Sequence, residues 1–472
     1  QRLNQPLFHR HGRQITLTET GRRLLPGVQR GLAELRRAVQ GVSQDRSEGV
    51  LNVSMMATFL QKWLMPRLSE FYSQQPQIDL RINADNTPVN FEQSDFHAGI
   101  RFGLGKWPGV KAGKLLDEMG NQIDAVLVAT PDHLHLQMVL DSLSAGKHVY
   151  CEKPMVHKIS EGLGVIETCK LTGRPMQVGS QRVSSIVYAK AKELYKSGAI
   201  GQINCIEASF DRQDALGAWQ YTLPTDGSPQ TVDWDRYVEG MNKMAWDPKK
   251  FFWWRNYRDF GTGVAGDLFV HLLSGIHLIT DSYGPEKIFA SGQLCFWKDG
   301  RDVPDVMTAI MQYPESKQHP SFQVMLRVNF VSGLGERGLT RYIGSEGALE
   351  MRGNGFNLTH SIMPKAPGIG GWDAIYSYPQ SMQDELMKEY NEKFSEKDQQ
   401  RPEKPGMVYT APEEYDAHLE HFKNFFDGVR EGKPLVEGPE FGFRAAAPTL
   451  ACNDSYFQKK IINWDPVNMK VI

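Results

Sequence analysis

IDAVLVATPDHLHLQMVLDSLSAGKHVYCEKP, residues Ile123 to Pro154, decides the fold. Ile123 to Ala129 is a nearly unbroken apolar run closed by Thr130-Pro131, the pattern of a parallel strand buried on both faces. A helical segment follows, with apolar residues at Leu134, Met138, Val139, Leu143 and Ala145, and Gly146 stops it. Lys147 to Cys151 reads as a second strand with Glu152-Lys153-Pro154 at its carboxyl end. The unit is βαβ, with a right-handed crossover. Ligands of such sheets sit beyond the carboxyl ends of the strands, where Thr130-Pro131 and Glu152-Lys153-Pro154 both fall.

The totals bound the rest. A chain of 472 residues suggests about three domains at ~150 residues each. A 40% apolar and 23% charged composition is that of an ordinary globular protein. The net charge of -2 argues against a wholesale nucleic-acid binder. Five cysteines, odd in number and without a CxxC pair, fit a reducing, cytoplasmic setting and argue against a disulfide framework or a zinc ribbon. The dispersed histidines offer no metal-ligand set. No apolar run reaches ~18 residues, so no membrane span is expected.

Composition shifts along the chain. Up to Lys62 the only basic residues besides His are arginines, whereas lysine is common beyond about residue 106. PLFHRHGRQITLTETGRRLL, Pro6 to Leu25, resembles the wing and linker-helix start of LysR-type transcriptional regulators, with Thr18 placed to cap the helix. Leu24, Leu25, Val28, Leu32, Leu35 and Val39 give the following Arg-rich segment an apolar seam suited to dimerisation. GVLNVSMMATFLQKWLMPRLSEFYSQQPQIDLRINADN resembles the opening βαβ of the LysR effector domain, and His97 to Leu116 its next strands. The resemblance places a winged-helix remnant and linker helix over residues 1–47 and an effector-domain fragment over 48–116. The base-reading helix of such regulators would precede Gln1, so the expectation is weak DNA binding at most, through phosphate contacts from Arg10 and Arg13.

From about Asp117 the chain resembles the glucose–fructose oxidoreductase / inositol dehydrogenase (Gfo/Idh/MocA) family. TPDHLH, AGKHVYCEKP, GTGVAGDLFVHLLSGIHLI and EGPEFGFRAAAPTLACNDSYFQKKIINWDP carry the likeness, in that order. The implied fold is α/β: the C-terminal half of a Rossmann-type parallel sheet over 117–180, then over 181–472 a substrate and oligomerisation domain with an open, mainly antiparallel sheet. The pattern of strands agrees: Asn204 to Asp211, Val306 to Tyr313, Phe322 to Val331 and Leu339 to Met351, with helices over Ser185–Ser197 and Ala417–Glu431. Gly353 to Pro412 reads as long loops around a short helix near Met382 to Phe394.

The resemblance implies NAD or NADP as cofactor, a sugar, cyclitol or polyol as substrate, and a homo-oligomer. Lys153 is aimed off a strand end by Pro154, a position that suits a proton transfer coupled to hydride transfer. Asp267 and His271 stand i, i+4 on an otherwise apolar helix, so they share a face. A capped core pair is the competing reading for them. By resemblance Lys153, Asp267 and His271 are the catalytic set, with Lys153 or His271 as acid/base, while Thr130, Pro131, His135, Glu152 and Lys153 lie at the cofactor. Gln181 and Arg182 are placed for a ligand contact; Trp253, Trp254 and Arg255 form either a sugar-stacking wall or core; His133 and His277 read as structural.

One departure matters. A Rossmann half opens with a strand and a glycine loop that lets backbone approach the pyrophosphate. Gly103-Leu104-Gly105 has the wrong spacing. Gly261-Thr262-Gly263-Val264-Ala265-Gly266 fits the spacing, but no buried strand precedes it. Where the loop belongs, the chain carries LysR-like sequence with a junction near Leu115 to Asp117. The expected outcome is an oxidoreductase with impaired nucleotide binding. A LysR-type regulator fragment in a chimeric chain, or an NAD-dependent glycosidase of the same superfamily, are the alternatives.

Overall fold

The computed structural model describes residues 7–11, 14–20, 22–25, 50–55, 60–85, 89, 91, 94–100, 123–370 and 375–472. The chain divides into two compact units, one of residues 1–112 with 229–243, the other of 113–228 with 244–472. The expected junction at Leu115 to Asp117, most of the linker helix and Gly103-Leu104-Gly105 lie outside the described residues.

In the first unit, β1 (Phe8–His11) and β2 (Gln14–Leu17) form an antiparallel hairpin with Phe8 opposite Leu17. Arg22 N–H donates to Thr18 O, starting the helix where the sequence placed it. β3 (Val50–Met55), the helix α1 (Leu68–Gln74) and β4 (Asp79–Ala84) make a parallel βαβ, and β5 (Ala98–Ile100) pairs with the other edge of β3. The order is therefore β4-β3-β5, second-first-third. A dinucleotide-binding half instead sets its third strand beside its second.

In the second unit, β6 (Ala125–Val128), α2 (His135–Ser144), β7 (His148–Cys151), α3 (Ile159–Thr172) and β8 (Met176–Val178) form a parallel three-stranded sheet in that order. Gly146 ends the first helix with φ +72°. β7 is central, and Val149, Tyr150 and Cys151 are wholly buried. The expectation that the first strand is buried on both faces is corrected: among the described residues β6 pairs with β7 alone, and Leu127 is 55% exposed.

The rest of the unit is a ten-stranded sheet backed by helices. β9 (Ile203–Asp211), β10 (Lys287–Gln293), β11 (Val306–Tyr313), β12 (Phe322–Asn329), β13 (Arg337–Gly344), β14 (Gly347–Arg352), β15 (Gly355–His360), β16 (Met407–Thr410), β17 (Ile462–Asp465) and β18 (Lys470–Val471) run in the order 16-15-14-13-9-12-11-10-17-18. Only β9 with β12 is parallel. Period-two alternation drives it: Met307, Ala309, Met311 and Tyr313 of β11 are buried, and Ile310 between them faces out. Each large side chain so buried stabilises by about 1.5–3 kcal/mol.

Two sequence expectations change here. Leu339 to Met351 is not one strand but the hairpin β13–β14, because Ser345-Glu346 turns between Gly344 and Gly347. A Cβ at Gly344 would lie 2.2 Å from Ile200 O, so the chain bends where glycine permits the approach. Gly353 to Pro412 also contains more than loops: β15 and β16 pair within it, besides α6 (Gln380–Lys393).

α4 (Ile186–Lys196), α5 (Val270–Thr280), α7 (Ala417–Glu431) and α8 (Pro439–Gln458) complete the unit. α8 joins the parallel sheet to the large one. Its Gly442 lies against Val178 of β8, where a Cβ would come within 2.5 Å, and its Phe443 ring fills the space above Gly162 of α3. These close approaches fix the carboxyl ends of β6, β7 and β8 relative to α5.

Candidate active site

Lys153 follows β7, and its peptide to Pro154 is cis. Its Nζ donates to Asp267 Oδ1 and to the Asp267 carbonyl oxygen, both at 2.9 Å. Asp267 sits in a π-helical turn, Ala265–Phe269, that runs directly into α5. Arg255 Nε also reaches Asp267 Oδ1, at 3.3 Å, and its guanidinium stacks 4.2 Å from the Trp254 ring centroid. The carboxylate therefore bears two cations rather than a helix end, and no side-chain cap bond is made on that turn. Burial acts against ionisation of Asp267, but Lys153 and Arg255 outweigh it and hold its pKa at about 2.

His271 lies on the next turn, and its ring makes no hydrogen bond to a described residue. Burial and the charges of Lys153, Arg182 and Arg212 hold its pKa well below the ordinary value, so the imidazole is neutral. Asp267 thus meets Lys153 directly, and the charges of both bear on the His271 imidazole.

Glu152 lies alongside. Its Oε2 accepts from Lys153 N–H at 3.4 Å, its Oε1 from Gln181 Nε2 at 3.4 Å, and burial pushes its pKa up. A Cβ at Gly179 would stand 2.9 Å from Oε1, so glycine at the end of β8 makes room for this carboxyl.

Thr130, Pro131 and His135 gather at the end of β6. The His135 ring is buried, with Nδ1 2.9 Å from Pro154 O and Nε2 2.9 Å from Thr130 O. It joins two strand ends through backbone. His133 presents its ring edge to Phe260, and His277 is buried against the Tyr313 hydroxyl with its pKa lowered to about 3. Trp253 is core, its Nε1 donating to Tyr221 O at 2.7 Å, whereas Arg255 belongs to the site.

Several residues were not singled out by the sequence. Asp132 is buried, and its Oδ2 accepts from Thr262 N–H at 3.0 Å and from Thr262 Oγ1 at 2.8 Å. Burial, and then the Asp267 charge, raise its pKa to about 7. His157 Nε2 stands 3.0 Å from Arg258 O, and Asn453 Nδ2 donates to Thr262 O at 2.7 Å. The glycine turn 261–263 that launches the Asp267 turn is thus gripped from three elements. Glu437, fully buried, accepts from Ser180 N–H at 3.0 Å and covers the outer edge of β8 through its carbonyl. An acid directly after TP at a strand end was the available signal for Asp132, and Glu437 is the first residue of the EGPEFG stretch that carries the family likeness.

The comparisons bear on this geometry. Residues 81–180 match the family model of the oxidoreductase family with an NAD-binding Rossmann fold, GFO_IDH_MocA. Over those residues the chain matches the Gfo/Idh/MocA model. The match begins in β4, ahead of the junction read from the sequence. Solved Gfo/Idh/MocA-like structures share the fold. An aldose-aldose oxidoreductase from Caulobacter crescentus complexed with glycerol aligns at TM-score 0.52 and 15% identity, over 88% of this chain and 99% of that one. An inositol dehydrogenase homolog from Azotobacter vinelandii, with NADH and myo-inositol, gives 0.52 and 14%, over 88% and 98%. A levoglucosan dehydrogenase with NADH and levoglucosan gives 0.51 and 15%, over 88% and 99%.

The N-terminal region matches transcriptional regulators. The AhcY transcriptional activator HvrB of Rhodobacter capsulatus is 37% identical over 108 residues, 23% of this chain and 37% of that protein. The HTH-type transcriptional regulator PerR of Escherichia coli is 41% identical over 101 residues, 21% of this chain and 34% of that protein. The chain spans little more than a third of the length of these curated relatives. Among the described residues no helix is long and apolar enough to cross a membrane, and no group of three or more His, Cys, Asp or Glu could hold a metal ion.

Proposed function

We propose that the second unit is the catalytic part of an NAD(P)-dependent oxidoreductase acting on a sugar, cyclitol or polyol, and that this chain is impaired in nucleotide binding. The observation that carries the first half is the buried Lys153–Asp267 pair, 2.9 Å apart, with a neutral His271 one turn further along α5. Lys153 and His271 would hold the substrate hydroxyl, and one of them would take its proton. Asp267 fixes the ammonium through its carboxylate and its own carbonyl oxygen. Arg255 shares the carboxylate and closes the far side.

A nicotinamide bound beyond β6 and β7 would accept the hydride. The strand-end residues Thr130, Pro131, Glu152 and Lys153 fit that end of the cofactor. The pyrophosphate end does not fit: Met56-Ala57-Thr58-Phe59 after β3 contains no glycine, and β5 pairs with β3 rather than extending the sheet past β4. Both features support the reading that a LysR-type segment stands in place of the nucleotide half. Isothermal titration of the full chain with NAD should show binding far weaker than micromolar. Exchanging residues 1–116 for a family-type nucleotide half should then restore both binding and polyol-dependent NAD reduction. Micromolar affinity in the unaltered chain would refute impairment, and a restored chain inert toward every polyol would refute the oxidoreductase.

A second reading, a DNA-binding regulator, is favoured by the β1–β2 hairpin and the regulator matches. Salt-resistant binding to duplex DNA would support it.

A further inference from the structure

Around His271 the cations outnumber the anions. Lys153 and Arg255 are engaged by Asp267. Arg182 and Arg212 are not: neither makes an ion pair with a described residue, yet both lie close enough for their charges to bear on the His271 imidazole. The remaining acids are committed elsewhere, Asp132 to Thr262 and Glu152 to Lys153 N–H and Gln181, and burial pushes the pKa of both up.

Both guanidinium groups are held in place by neutral partners. Arg182 stacks 4.8 Å from the Phe210 ring centroid and donates from Nη1 to the Tyr188 hydroxyl at 3.2 Å. Tyr188 in turn lies on Gly275 of α5, where a Cβ would come within 2.4 Å of its ring, one helical turn after His271. Arg212 stands 5.4 Å from the Phe330 centroid and 5.9 Å from that of Trp219, and donates to Gly217 O at 2.6 Å. Asp211, the acid next to it in sequence, is committed elsewhere: its carboxylate accepts from Arg327 Nη2 at 2.7 and 2.9 Å and from Arg337 Nε at 3.2 Å. Stacking on aromatic faces orders an arginine without spending its charge, and an ordered planar fork binds carboxylate or phosphate oxygens in pairs.

We infer that the substrate of this site carries an anionic group, a carboxylate or a phosphate ester, received by Arg182 and Arg212 while its reacting hydroxyl faces Lys153 and His271. The inference rests on the oxidoreductase reading of the same site. A neutral polyol would leave two half-buried cations beside the site with no ion-pair partner among the described residues, whereas an acidic sugar supplies one.

Titration calorimetry on the full chain, without nucleotide, separates the two readings. The probes are D-glucose and myo-inositol against D-glucuronate and D-glucose 6-phosphate. One anionic probe should bind at least about tenfold tighter than both neutral ones, the gain expected of a charge-assisted pair. Whether glucuronate or the phosphate ester wins identifies the group. Arg212→Gln and Arg182→Gln should each remove most of that preference while leaving weak neutral binding in place. If Arg182→Gln unfolds the Tyr188 contact, the Arg212 variant still decides. Equal affinities, or a preference that survives both substitutions, would overturn the anionic substrate and leave the polyol oxidoreductase standing. Binding of no probe would overturn both.

Discussion

Asp132 and Thr262, far apart in sequence, meet at 2.8 Å between Oδ2 and Oγ1, with the Thr262 amide on the same oxygen at 3.0 Å. This contact ties the end of β6 to the glycine turn that begins the Asp267 segment. The ordinary pKa of the group is 3.8 and the folded value about 7, so the fold favours the protonated acid. The cost of ionising it in the folded state therefore appears as pH rises past the ordinary value and is complete above about 7. Asp132→Asn, neutral throughout and still an acceptor for Thr262, should gain stability relative to the parent between about pH 5 and pH 8. Thermal melting at both values measures it, and a constant difference would remove Asp132 as the titrating group.

Asp267 has the opposite sign. Its folded pKa of about 2 lies below the ordinary 3.8, so its contribution is present above the ordinary value and is lost as pH falls from about 4 to about 2. Asp267→Asn should abolish that acid-side loss. It should also destabilise the protein at neutral pH by about 3–5 kcal/mol, because Lys153 is left buried without its counter-charge. Urea titrations across the acid range would read both effects.

Lys153→Met should separate chemistry from folding. In a chain given a working nucleotide half, turnover is expected to fall roughly 10²–10⁴-fold, the range of a lost proton-transfer group. Near-normal turnover would assign the acid/base role to His271 alone.

His135 sits between Thr130 O and Pro154 O, and burial depresses its pKa, so the neutral ring donates its one N–H to one of these carbonyls and packs against the other. His135→Ala should cost about 2–4 kcal/mol through the cavity and the one carbonyl left without its donor. Chemical denaturation would test the figure.

Gly162→Ala would thrust a methyl to within 2.1 Å of the Phe443 ring, where α3 meets α8. Both helices must yield, at a cost of about 1–3 kcal/mol. Gly164→Ala, two residues on with open space around it, should cost nothing and serves as the control in the same unfolding experiment.

Much of this was readable in the residues because the signals were local. Thr130-Pro131, Glu152-Lys153-Pro154 and the Asp267/His271 spacing each announce themselves within a few positions, and the breakers flanking Val306 to Tyr313 give the bounds of β11. What escaped depended on distance or on context. Asp132 gains its meaning from Thr262, Arg212 from Asp211 being occupied by Arg327 and Arg337, and Arg255 from Asp267. β15 and β16 were hidden in a glycine- and proline-rich stretch because their partners are each other. Leu127 looked buried because an apolar run reports the sheet it was built for, not the neighbours it has.

That last residue has a practical consequence. β6 offers one row of backbone donors and acceptors with no described strand to take them, and an exposed leucine beside them. Such a ledge is adhesive toward extended chains, and no proline or lysine blunts it within Ala125–Val128. An exposed leucine on such a strand favours self-association in concentrated solution, and Leu127→Lys should lower it, as light scattering would read.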